Sequence, residues 1–177
     1  TGVGFQPDWV WIKNRDAAEN HKLYDAVRGA NKVIYSNLTN AEATVTQDVK
    51  SFDSDGYTLG TESAVNASGQ DIVGWNWKMN GAGSSNSDGS VTSTVSVNST
   101  AKMSIVKFAG TGANATVGHG LGVAPNVILI KNMDASQNWF VFHKGMYDTD
   151  SSAYINLNTT DGKSQSNNVF NGTAPTS

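Results

Sequence analysis

The chain nearly repeats itself, and this constrains its fold more than any other property. Gly4-Phe5-Gln6-Pro7-Asp8-Trp9-Val10-Trp11-Ile12-Lys13-Asn14-Arg15-Asp16-Ala17 returns as Gly122-Val123-Ala124-Pro125-Asn126-Val127-Ile128-Leu129-Ile130-Lys131-Asn132-Met133-Asp134-Ala135. The similarity resumes after one inserted residue, where Tyr35-Ser36-Asn37-Leu38-Thr39 aligns with Tyr154-Ile155-Asn156-Leu157-Asn158. Self-similarity of this kind marks a modular architecture in which one supersecondary unit is used again. The units are incomplete in complementary ways. Met103–Gly120 has no counterpart before Gly4, and Tyr57–Lys78 has none after the second copy. Either further modules lie outside the sequence or the two partial units complete one sandwich. The abrupt ends, with Thr1 inside a module, favour a longer parent chain.

The periodicity is that of strands. Trp9-Val10-Trp11-Ile12 is apolar on both faces, as in a central strand covered on each side. His21–Val27 reads as its hairpin partner, with a short helix over Asp16–Asn20 between them. Asp53-Ser54-Asp55-Gly56 is a turn leading into strand Tyr57-Thr58-Leu59. Ile72–Lys78 alternates, with Trp75 and Trp77 on one face. Val91–Val97, Met103–Phe108 and Val127–Ile130 are further strands, and Trp139–His143 partners the last of them. The expected fold is therefore all-β, an antiparallel β-sandwich built from the internal repeat. Its expected organisation is a first β module over 1–79, a Gly/Ser/Asn-rich linker and strand over 80–100, and a second module over 101–177.

Composition narrows the function. Charged residues make up 15 % of the chain, Cys is absent and the net charge is −3. Nucleic-acid binding would require a basic patch, and the lysines and arginines are scattered singly. No run approaches the ~18 apolar residues of a membrane span. Without Cys there is neither a disulfide nor a thiolate metal site. Catalytic patterns are missing as well. Glu19, Glu42 and Glu62 are isolated, so no placed carboxylate pair of a glycosidase is apparent. His21, His119 and His143 lack metal-ligand spacing. The expectation is a non-enzymatic protein.

Several of these segments carry a resemblance. The Gly4–Arg15 run, Asp53-Ser54-Asp55-Gly56-Tyr57-Thr58-Leu59-Gly60, Val65-Asn66-Ala67-Ser68-Gly69 and Val117-Gly118-His119-Gly120-Leu121-Gly122-Val123-Ala124-Pro125 resemble tandem modules of phage tail-fibre and tail-associated proteins, of the marine and cyanobacterial phage type. Those modules are similar to concanavalin-A-like (jelly-roll) lectin and glucanase sandwiches. The resemblance spans essentially the whole chain. It implies a virion-surface component that attaches to host-cell surface polysaccharide, with other copies or neighbouring modules of the fibre as partners. A purely structural spacer is the alternative, and a polysaccharide depolymerase a remote one.

The ligand-contact candidates lie on one strand and the loop after it: Trp139, His143, Tyr147, Asp148 and Asp150. Trp139 stands where the first copy has His21, and an aromatic exchanged for a histidine fits a variable binding rim, although it reads first as core or hairpin packing. By contrast Trp9 and Trp11 become Val127 and Leu129, which suits a core, and Trp75 with Trp77 is expected to fill the space between sheets. No cofactor is expected. Ca²⁺ is the one ion that the Asp148-x-Asp150 and Asp53-x-Asp55 loops suit, although each reads first as a plain turn.

Overall fold

A computed structural model of the chain describes residues 2–177. The apolar run near the N-terminus forms β1 (Trp9–Asn14), followed by β2 (Lys22–Asp25), β3 (Lys32–Tyr35) and β4 (Ala43–Thr44). After these come β5 (Val49–Asp53), β6 (Gly56–Leu59), the one-turn helix α1 (Ser63–Asn66) and β7 (Ile72–Trp77). Antiparallel pairing gives the order β4-β3-β2-β1-β7, which gives β1 a partner strand on each side, as its apolar sequence demands. Val10, Ile12, Tyr24 and Val33 on one face are buried together with Val49 from the β5–β6 hairpin and Val65 from α1. Phe52, Tyr57, Leu59 and Ile72 pack around them. This second layer makes the arrangement sandwich-like and gives the first repeat its core.

The second repeat rebuilds the same hairpin. It comprises β11 (Val127–Ile130), β12 (Phe140–His143), α2 (Lys144–Tyr147), β13 (Ala153–Asn156) and β14 (Ser164–Gln165), in sheet order β11-β12-β13-β14. Val10 pairs with Tyr24 in β1–β2, and its counterpart Ile128 pairs with Phe142, the counterpart of Tyr24, in β11–β12. The turns share their main side-chain contacts. Lys13 Nζ donates to Ala17 O at 3.1 Å and Lys131 Nζ to Ala135 O at 3.2 Å. Asn14 Oδ1 accepts from Asp16 N, and Asn132 Oδ1 from Asp134 N.

Hydrogen bonding corrects the alignment further on. Asn37 Oδ1 accepts from His21 N while its Nδ2 donates to Asn20 Oδ1. Asn158 does the same to Trp139 N and Asn138 Oδ1. Asn37 therefore corresponds to Asn158, not to Asn156. The β2–β3 loop is 26–31 and the β12–β13 loop is 144–152, six residues against nine, so the second loop is longer by three residues, and it is this longer loop that forms α2.

Two further expectations give way. No helix forms over Asp16–Asn20. Asn14 Oδ1 takes the N–H groups of Asp16 and Ala17, Lys13 takes the Ala17 carbonyl, and Asp16 accepts from Asp71 N. Lys13 thus occupies the Ala17 carbonyl that a helical turn would have bonded. Nor is the Gly/Ser/Asn stretch after residue 79 a free linker. It contains β8 (Ser84–Asn86), which pairs with β9 (Ser93–Asn98), and β9 pairs with β10 (Met103–Phe108). Small residues allow a close approach here. Gly83 has φ +77°, and a Cβ on it would lie 2.5 Å from Val95 O. Ser96 Oγ accepts from Asn80 N and donates to Gly81 O, fixing the entry to the hairpin.

Candidate functional site

The aromatic cluster follows from strand register. β1 and β7 are antiparallel with Trp9 opposite Trp77 and Trp11 opposite Trp75. Cross-strand neighbours on one face are within reach of each other. Trp9 and Trp77 stack with centroids 4.4 Å apart, and Trp11 meets Trp75 edge-on at 5.9 Å. His21 lies edge-on to the other side of Trp11, and its Nδ1 accepts from Trp11 Nε1 at 3.2 Å. Burial, and secondarily the Lys13 charge, holds the His21 pKa below its ordinary value. The neutral imidazole is thus the form that can serve as this acceptor.

Contrary to expectation, this aromatic row is not all core. Trp9, Trp11 and Trp77 are half-buried and Trp75 is 45 % exposed. The reason is that β7 ends its sheet. Beside Trp75 lies a shallow groove of about 780 Å³ lined by Lys13, Arg15 and the Asp71–Trp75 segment. The groove has an exposed indole toward one end and the Arg15 and Asp71 residues, four positions further along the strand pair, toward the other. The Trp-x-Trp pattern of Trp75 and Trp77 was legible, but the edge position that exposes one of the pair was not.

The five residues singled out from sequence take other roles. Trp139 is 5 % exposed and packs with Leu23 and Ile34, with Trp9, Trp11 and Leu157 around them. Its Nε1 donates to Tyr35 O at 2.8 Å. Trp139 is therefore a buried contact between the repeats and not a binding rim. The exchange with His21 reflects which repeat inserts its side chain into the other. His143 is exposed, and its Nδ1 accepts from Gly145 N, capping α2. Tyr147 packs on Phe142 and donates its hydroxyl to Gly172 O. Asp148 pairs with Lys144 across one exposed turn, a pair worth about 0.3–0.5 kcal/mol. Asp150 accepts from Lys163, Gln165 and Ser152. Lys163 first, and then Ser152 and Gln165, hold its carboxyl well below the usual range. His143, Tyr147, Asp148 and Asp150 are thus neighbours on one connection, each engaged in ordering it.

The metal-ligand chemistry of these loops is equally committed. Asp53 accepts from Ser51 and Thr58, and Asp55 accepts from the N–H groups of Gly2 and Gly4. Among the described residues no three His, Asp or Glu side chains converge as a metal would need.

The class is thus an all-β protein of antiparallel repeat sheets, packed sandwich-like, with an aromatic groove at one sheet edge. More particularly, the chain belongs to the family described as Domain of unknown function (DUF7483), which matches residues 1–177. No curated protein and no solved structure matches it.

Proposed function

We propose that this chain is a non-enzymatic module of a phage tail fibre or virion appendage that attaches to host-surface polysaccharide. The observation that carries the reading is the exposed Trp75 indole in its groove with Arg15 and Asp71. Such a face suits the apolar side of a sugar ring, and the charged groups toward the other end of the groove suit hydroxyl or acidic substituents. Concave sites with an aromatic lining and a few placed polar groups are the usual form of a binding pocket. Fibre architecture would repeat a weak site many times, raising avidity through effective concentration. The resemblance of the Gly4–Arg15 and Asp53–Gly60 segments to tail-fibre modules supports a place on the virion surface.

Binding of the purified chain to a panel of neutral and acidic bacterial polysaccharides, with and without Ca²⁺, tests this reading. Trp75→Ala should weaken a positive interaction at least tenfold, about 1.4 kcal/mol, with an unchanged far-UV circular dichroism spectrum. Binding that survives both Trp75→Ala and Arg15→Ala would remove the groove from the proposal. A second reading, a structural spacer, draws on the internal engagement of His143, Tyr147, Asp148 and Asp150. It predicts no binding even when the folded chain is displayed multivalently.

A further inference from the structure

We propose that the open edge of β11 accepts a β7-type strand from a neighbouring repeat of this family, so that modules are joined by strand addition. Among the described residues β11 has a partner strand on one side only, β12. Its counterpart β1 is paired on both sides, by β2 and by β7 along all of Trp9–Asn14. Among the described residues the first repeat thus displays a strand that has no counterpart beside β11.

The chemistry of the edge agrees. Exposed edge strands are normally blunted by charge, proline or a bulge. Val127–Ile130 is Val-Ile-Leu-Ile, with no such device. Val127 is 51 % and Leu129 37 % exposed, two of the few large apolar side chains left in solvent. They correspond to Trp9 and Trp11, which β7 covers with Trp77 and Trp75. On the other face Ile128 and Ile130 are half-buried, whereas Val10 and Ile12 are 0 % and 1 % exposed. One polar contact is also unmade. Asn14 Nδ2 reaches Gln70 Oε1, just ahead of β7, at 2.6 Å, while Asn132 Nδ2 turns to Gln137 in its own loop at 3.3 Å.

The occupant is an extended segment like Ile72-Val73-Gly74-Trp75-Asn76-Trp77, running antiparallel with its two indoles over Val127 and Leu129. Those smaller side chains leave room for them. The Ile72–Trp77 strand is itself engaged on β1, so the donor is a second strand of this type. The site is separate from the Trp75 groove and does not depend on polysaccharide binding.

The test adds a synthetic Gln70–Lys78 peptide to the full chain and follows amide hydrogen exchange. Exchange at Val127–Ile130 should slow at least tenfold, with Trp9–Asn14 unchanged. The double variant Val127→Lys/Leu129→Lys, checked for folding by circular dichroism, should lose that protection. To ensure that weak affinity cannot hide binding, the same nine residues are also tethered to the C-terminus through a flexible linker. The absence of β11 protection in the tethered form would overturn the proposal. Protection at β11 that grows with concentration in the chain alone would also overturn it, by assigning the edge to a second copy's intact sheet.

Discussion

Asp48 holds the most consequential polar contact of the first repeat. Its carboxylate accepts from Lys22 Nζ at 2.7 Å and from the Tyr24 hydroxyl, and all three side chains are buried. Among the described residues Glu62, at 3.6 Å from Lys22, is the one other ion-pair partner of that ammonium. Burial, and then the Asp48 hydrogen bond and charge, push the Tyr24 phenol far above its ordinary value, so it remains a donor. Removing one member of a buried ion pair leaves the other uncompensated, at about 3–5 kcal/mol. Asp48→Asn should therefore lower unfolding free energy by about that amount in urea titration. A loss below about 1 kcal/mol would mean that Glu62 or water compensates Lys22. None of this was legible in the sequence. The counterpart of Lys22 is Phe140, and Asp48 lies outside the repeated segments, so the repeat comparison offered no signal.

At the scale of elements, legibility followed hydrophobic pattern. β1, β6, β7, β10, β11 and β12 were all marked by apolar runs or alternation. β8, with the sequence Ser-Ser-Asn, was not. Its order comes from the backbone and from Ser96, as a composition read as a linker could not reveal. Gly83 is the pivot, since its left-handed φ and its approach to Val95 O both exclude a side chain. Gly83→Ala should cost about 1–3 kcal/mol and speed amide exchange in β9 around Thr94–Ser96. Unchanged exchange there would show that β8 can shift without loosening β9. Helix expectation failed over Asp16–Asn20 for the opposite reason. Favourable residues were present, but Lys13 had already claimed the Ala17 carbonyl that a helical turn would use.

For the whole molecule, the sequence revealed that there are two repeats but not how they meet. The contact is asymmetric. Trp139 enters between Leu23 and Ile34 and bonds the Tyr35 carbonyl, whereas His21, its counterpart, remains with Trp11 in its own sheet. Backbone bonds from Glu42 to Met133 and from Gln137 to Thr39 hold the adjoining loops. Because pseudo-equivalent positions have different neighbours, a substitution between repeats cannot distinguish a binding rim from an interface. On sequence alone Trp139 therefore fits either role. The two roles have different thermodynamic signatures. As an interface anchor, Trp139→Ala should destabilise the protein by about 3–5 kcal/mol, the usual loss for a large buried aromatic. It should also speed exchange at the Glu42 and Gln137 amides, which report the inter-repeat loops. Trp139→His, which installs the first repeat's residue, should not restore stability, because an imidazole cannot fill the indole's volume or reproduce its reach to Tyr35 O. A Trp139→Ala protein of unchanged stability that had lost only polysaccharide binding would instead restore the rim assignment. It would also require the two sheets to be held together by their loops.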